Sequence, residues 1–236
     1  MDHSPSTLAE IVGQPKLTVF RQWARNPYAR NWLFRGAGGT GKNATATALA
    51  NEIGADITPT CGAKLNMEDV TELRRTLQCR PMFGRWRLWQ IDEMEKLHPR
   101  VEAVMKDWLQ PGEHGKQPDH LIVIATTNVE REVKPTDEHA AFLQRFDEVA
   151  FNSSNTLADA FRDVLLRRWN DATAGAPLPK GWTRIGWYSD GGNDKAGYSA
   201  RLALRRLRDE IDAWQAEHCA CGEACCIPGM ALVGAV

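Results

Sequence analysis

The sequence lacks an excess of either charge. Its 29 lysines and arginines are balanced by 30 aspartates and glutamates, for a net charge of −1. A strong overall basic field, the usual footprint of non-specific nucleic-acid binding, is therefore excluded. Any DNA contact has to come from a local patch or from a ring of subunits that concentrates one. Long apolar runs are also missing, and the longest stretches are too short to cross a bilayer, so no membrane partner is expected. The opening MDHSPSTLAE carries no basic segment followed by an apolar one, and no export signal is read there. Without export, the six cysteines are not expected to form a disulfide framework, and the expected compartment is the cytoplasm. Internal repeats and low-complexity segments are absent too. What remains is an ordinary globular composition, 43% hydrophobic and 25% charged over 236 residues, with room for one large domain and a small satellite.

The patterning divides the chain. The first part alternates strand-like apolar runs with amphipathic helical runs, which predicts an α/β sandwich around a parallel sheet. Leu33-Phe34 reads as a short buried strand ending at Arg35. Residues 43–53 read as a helix with Ala46, Leu49, Ala50 and Ile53 on one face, and 67–78 and 99–110 as further helices. Residues 86–91 and 121–127 are strand-like, the second a continuous β-branched run suited to burial on both faces. A polar cluster, Asn152-Ser153-Ser154-Asn155, reads as a hinge and helix cap. Beyond it the reading is helical over 156–171 and 199–215, with a loop-rich stretch over 173–197 between them. The expected organisation is an α/β nucleotide domain (1–152), a helical lid (153–216) and a Cys/Gly-rich tail (217–236).

Gly36-Ala37-Gly38-Gly39-Thr40-Gly41-Lys42 fits G-x-x-x-x-G-K between a strand and a helix. Glycines let successive backbone N–H groups face phosphates, the helix N-terminus adds partial positive charge, and Lys42 reaches the β- and γ-phosphates. The next residue is Asn43, where a Ser or Thr hydroxyl would bind Mg²⁺. An amide oxygen can also ligate Mg²⁺, but through a longer side chain, so nucleotide binding is expected to survive the change more readily than hydrolysis. Downstream, Leu88-Trp89-Gln90-Ile91-Asp92-Glu93 has the form of a strand ending in an acidic pair. Asp92 is the candidate Mg²⁺ holder and Glu93 the candidate general base. Gln90 interrupts the apolar run that usually precedes such a pair. The strand 121–127 then ends at Asn128, which is suited to sit beside the γ-phosphate and attacking water, or simply to cap the strand.

These motifs, in this order, resemble the clamp-loader branch of the AAA+ ATPases, the replication factor C small subunits and their bacterial and phage relatives. The resemblance runs over about residues 7–215. It includes Leu8-Ala9-Glu10-Ile11-Val12-Gly13-Gln14, IDEMEKLHPRVEAVMKDWLQ and LIVIATTN. It implies a P-loop sheet fold with a helical lid, ATP and Mg²⁺ as ligands, and an adenine site at the segment containing Val12. It also implies a sensor role for Asn128 and a trans-acting arginine finger at Arg145, with Phe142-Leu143-Gln144-Arg145-Phe146 in place of the family's Ser-Arg-Cys box. A surface ion pair of Arg145 with Asp147 or Glu148 is the alternative. Arg201, in Tyr198-Ser199-Ala200-Arg201, corresponds to the second sensor arginine.

The implied partners are primer–template DNA, other AAA+ subunits in a homo- or hetero-oligomeric arc, and a sliding clamp. Lys64, Arg74, Arg75 and Arg80 lie where such proteins track the phosphate backbone, or form an ordinary charged surface. The stretch 217–236 is shorter than the collar domain of clamp loaders, so the expectation is assembly through the ATPase faces alone, reliance on a partner, or membership of a related AAA+ group. Two rivals therefore stand: another DNA-acting AAA+ motor for branch migration or transposition, and a hydrolysis-deficient member of a heteromeric ring. In the tail, Cys219, Cys221, Cys225 and Cys226 are candidate Zn²⁺ ligands, crowded for one tetrahedral ion, or free thiols. Trp182 and Trp187, in the loop-rich stretch, are candidates for facing a partner.

Overall fold

The computed structural model describes residues 5–14, 16–110, 116–129, 137–153, 155–189 and 196–218. The chain divides between Asn152 and Ser153 into two compact units.

The first unit is built on five parallel strands in the order β2-β3-β4-β1-β5. These are β1 (Asn31–Arg35), β2 (Asp56–Cys61), β3 (Arg87–Asp92), β4 (Leu121–Thr127) and β5 (Asp147–Ala150). The helices are α1 (Leu17–Ala24), α2 (Lys42–Ile53), α3 (Met67–Gln78), α4 (Pro99–Trp108) and α5 (Asp137–Leu143). Every residue of β4 is buried, as a central parallel strand covered on both faces requires.

Strand alternation sorts the core into two layers. Trp32, Phe34, Leu88, Ile122 and Ile124 pack with α1 and α2, around Phe20, Trp23, Ala46 and Leu49. Their neighbours Leu33, Trp89, Ile91, Val123 and Ala125 face the other way, onto Val70, Leu77, Met105, Trp108 and Phe142. Trp89 and Trp108 stack at 5.6 Å with their planes 6° apart. Asn66 caps α3 by accepting from the N–H groups of Glu68 and Asp69, while Asp69 accepts from the Asn66 N–H.

A reciprocal amide pair fixes the N-terminal end of the central strands. Asn31 Nδ2 donates to Gln117 Oε1 at 2.9 Å, and Gln117 Nε2 donates to Asn31 Oδ1 at 2.8 Å. The same groups reach the carbonyls of Arg145 and Leu121.

Four elements of this unit escape the hydrophobic pattern. β2 (DITPTC) is an edge strand with a proline and only partial burial, so it carries no apolar run. β5 has four residues and one buried side chain. Helices α1 and α5 are only eight and seven residues long, too short for a persistent period.

The second unit packs α6 (Asn155–Thr173) and α7 (Ala200–His218) around Leu157, Leu165, Trp169, Tyr198, Ala203 and Leu207. It is not purely helical. Within the stretch read as loop, β6 (Trp187–Ser189) and β7 (Ala196–Tyr198) form an antiparallel hairpin. The two tryptophans assigned there to a partner pack on the unit's own core instead: Trp182 meets Trp169 edge-on at 6.3 Å, and Trp187 meets Tyr198 at 5.5 Å. Ser199 caps α7 by accepting from the Leu202 N–H. The four tail cysteines proposed for Zn²⁺ lie outside the described residues, and among the described residues no cluster of metal-ligating side chains is found. Also among them, no helix is long and apolar enough to cross a membrane.

Two outcomes are expected. Asn31→Leu strands the buried Gln117 amide and should lower unfolding stability by about 1–3 kcal/mol; an unchanged denaturant midpoint would contradict it. Burial pushes the Tyr198 phenol up to about 12 from its ordinary 10. The fold thus favours the neutral phenol, a contribution complete below pH 10 and lost as pH rises towards 12. Tyr198→Phe should flatten that alkaline loss in unfolding curves recorded between pH 9 and pH 11.5, whereas equal slopes in both proteins would refute the assignment.

Candidate nucleotide site

The phosphate loop leaves the C-terminal end of β1 at Gly36 and enters α2 at Lys42. Gly36 and Gly41 both have positive φ, 154° and 95°. A Cβ at Gly36 would run into the Phe151 carbonyl oxygen, so the loop needs glycine there for space as well as conformation. Lys42 is buried, and its Nζ donates to the carbonyls of Gly36 (2.7 Å) and Ala37 (2.8 Å) and to Asn128 Oδ1 (3.0 Å). The lysine and the strand-tip asparagine of the sequence reading are thus brought together. Val12 lies in the segment just before Gln14, and Ile11 of that segment packs in the core beside α2.

Parallel pairing supplies the acidic side. Thr126 Oγ1 donates to Asp92 Oδ1, orienting that carboxylate towards the end of β4. Glu93 follows in a left-handed conformation (φ 54°, ψ 51°) that a non-glycine residue adopts at some cost. Its carboxylate accepts from Lys96 Nζ at 2.8 Å and from Cys61 Sγ at 3.6 Å. The Glu93 carboxylate in turn pushes the Lys96 ammonium pKa upward. Gly62, next to Cys61, is packed so closely that a Cβ would sit 2.5 Å from the Glu93 carbonyl oxygen.

Asn43 opens α2 beside Asp92, and both line a cavity of about 720 Å³ with Thr60, Cys61, Lys64 and Gln90. Asn43 Oδ1 is buried without a hydrogen-bond partner. An oxygen acceptor left in that state beside a carboxylate fits a hard divalent cation. Thr45 does not share this role, because its hydroxyl donates to the Gly41 carbonyl.

Several contributors were given no individual role by the sequence. Gln14 Nε2 donates to the carbonyls of Thr40 (3.0 Å) and Asn152 (3.2 Å), while its Oε1 accepts from the Asn152 N–H at 3.0 Å. This clasp joins the N-terminal segment to the phosphate loop and to the end of the unit. Arg35 is buried, pairs with Glu148 at 2.9 Å and donates to the Val129 carbonyl. Glu95 Oε1 accepts from the Asn128 N–H at 3.3 Å. Each joins residues far apart in sequence, and no spacing rule marks such pairs.

Other expected residues lie elsewhere. Arg145 ends the turn after α5, where its carbonyl accepts from Asn31 at the N-terminal end of β1. That is a strand's length from its own phosphate loop, about 17 Å at roughly 3.3 Å per residue. The alternative ion pairs are not made, since Asp147 pairs with Arg30 and Glu148 with Arg35; Arg145 Nε points instead to the Lys106 carbonyl. Arg201 is exposed on α7 of the second unit. Of the residues expected to track DNA, Arg80 pairs with Asp119 on the exposed surface and Arg74 lies over the Trp108 ring.

Residues 32–154 match the family described as ATPase family associated with various cellular activities. Among curated proteins, the chain is similar to the Holliday junction branch migration complex subunit RuvB of Chloroflexus aurantiacus, 26% identical, with 87% of this chain and 59% of the relative covered. The RuvB subunit of Rickettsia africae is 33% identical over 43% of this chain and 30% of the relative. The chain therefore spans under two thirds of the length of these relatives. Among solved structures, the Thermotoga maritima RuvB branch migration motor superposes with a TM-score of 0.63 at 19% identity, covering 87% of this chain and 64% of that one. A DNA polymerase III gamma subunit-related protein from the same organism gives 0.51 at 10% identity, covering 67% and 53%. These structural likenesses establish the fold. The AAA+ part of the expectation stands; the sequence relatives are branch-migration subunits, so its clamp-loader branch finds no support among them. With half of its length matched to the family and a P-loop sheet that gathers Lys42, Asp92 and Asn128, the chain belongs to the AAA ATPases.

Proposed function

We propose that this chain is the ATPase portion of a DNA motor of the branch-migration kind, working in a ring of like subunits. The observation that carries the reading is its similarity to RuvB along 87% of its length. A sliding clamp forms no part of it.

Chemistry follows from the site. Lys42, held by two loop carbonyls and Asn128, exchanges those bonds for phosphate oxygens when ATP enters. Asn43 and Asp92 would hold Mg²⁺, which when bound neutralises charge on the β- and γ-phosphates. Thr126 keeps the Asp92 carboxylate turned towards that position. Asn128 fixes the attacking water, and Glu93 takes its proton as the water oxygen bonds to the γ-phosphorus and the bond to ADP breaks. To do so Glu93 gives up its bonds to Lys96 and Cys61. The backbone of Arg145 lies a strand's length from its own phosphate loop, which supports a role for it in a neighbour's site. Arg201 is assigned its phosphate-sensing role by resemblance alone.

Steady-state ATP hydrolysis tests this, measured without DNA, with linear duplex and with a four-way junction. The junction should stimulate turnover most, and Glu93→Gln should reduce kcat by about 100-fold or more. Mixing Glu93→Gln with Arg145→Ala protein, each inactive alone, should restore turnover, because each supplies what the other lacks; a dead mixture would rule out the trans finger. No turnover in the parent but turnover in Asn43→Thr would replace the motor reading with that of a hydrolysis-deficient ring member.

The Gln14 clasp gives a second expectation. Gln14→Leu deprives the Thr40 carbonyl and the Asn152 N–H of their partner. It should cost about 1–3 kcal/mol of stability and weaken binding of a fluorescent nucleotide. Unchanged values of both would show the clasp to be incidental.

A further inference from the structure

Two residues depart from the motif pattern, Asn43 after the P-loop lysine and Gln90 within the strand before the acidic pair, and both line the same cavity. Gln90 stands on β3 between Trp89 and Ile91, which face the α3–α4 layer. Strand alternation therefore puts it on the opposite face, with Leu88 and Asp92. Gln90 is only 9% exposed, and its carboxamide has no hydrogen-bond partner among the described residues. Asn43 Oδ1, of a residue that lines the same cavity, is fully buried and has no hydrogen-bond partner. The orphaned Asn43 oxygen is costly to leave unpaired, while the Gln90 amide keeps some solvent contact, a polar group at a strand position where a leucine of similar volume would also fit. An orphaned Asn43 oxygen, and on the Asp92 face of β3 a Gln90 amide with no protein partner among the described residues, are both served if a hydrated ion sits beside Asp92 in the cavity that these three residues line. Amides of this kind, one step outside the ligands, orient the ligands and hold the ion's waters.

We infer that Gln90 is a positioning residue for the divalent cation: its carboxamide binds the outer hydration shell and steadies Asn43. The Asn43–Gln90 pair thereby does the work of the hydroxyl residue that normally follows the lysine. The inference rests on the reading of Asn43 and Asp92 as the residues that hold the cation. It accounts for both departures together: a long amide ligand needs a second amide to fix it, and a short hydroxyl does not.

The test is a double-mutant cycle over Gln90→Leu and Asn43→Thr, using the intact chain. Binding of a fluorescent ATP analogue is titrated with Mg²⁺ and repeated in EDTA, and thermal unfolding is recorded alongside. Gln90→Leu should raise the Mg²⁺ concentration for half-maximal binding by about tenfold or more. It should leave affinity in EDTA unchanged and not lower the unfolding temperature. In the Asn43→Thr background the same substitution should change the Mg²⁺ midpoint by less than about twofold, because the hydroxyl needs no support. An unchanged midpoint in Gln90→Leu overturns the inference, as does an equal shift in both backgrounds or a loss of affinity that persists in EDTA. A parent whose nucleotide affinity ignores Mg²⁺ removes the underlying cation assignment and this inference with it. A Mg²⁺-dependent parent with an indifferent Gln90→Leu removes only the role of Gln90.

Discussion

The parallel pairing of β4 with both β1 and β3 is the constraint on which the site depends. Arg35 lies opposite Thr127, and Ile91 opposite Ala125. Because all these strands run the same way, their C-terminal ends reach one edge together, and whatever follows each strand is delivered there. Gly36, Asp92 and Asn128 all follow from that register. A one-residue slip would turn Thr126 away from Asp92 and Phe34 out of its core layer, so the hydrophobic sorting of the strands and the geometry of the site protect each other.

Around that edge most polar groups are bonded to one another. Lys42 is bonded to its own loop, and Glu93 is occupied on both carboxylate oxygens. The tip of β4 is gripped by Arg35, Glu95 and Lys42. These bonds satisfy charges and amides that would otherwise be costly beside a buried sheet end. In the proposed reading, nucleotide binding exchanges these partners for phosphate oxygens. The Asn43 oxygen and Glu95 Oε2 are exceptions, both buried without a hydrogen-bond partner.

The motifs themselves were legible: the glycine loop, the acidic pair and the strand-end asparagine occupy the positions that their spacing implies, because each is a local arrangement next to a strong apolar run. Likeness to branch-migration subunits was not. The same short motifs serve clamp loaders and branch-migration subunits, and the similarity that separates them is spread thinly along the chain. The edge strand β2 and the β6–β7 hairpin were also missed. Pro59 and polar neighbours erase the apolar pattern of the first, and the second has strands of three residues.

By itself, the sequence determined which segments bury themselves and where a phosphate loop must form, since apolar period, glycine placement and a lysine opening a helix are properties of adjacent residues. Only the tertiary structure decided which side chains meet. Gln14 reaching Asn152, Cys61 touching Glu93, Arg35 joining Glu148 to the Val129 carbonyl, and Gln90 lining one cavity with Asn43 all depend on strand order and crossover connections. Those are fixed by how the whole sheet buries its two faces, which no local window of residues contains.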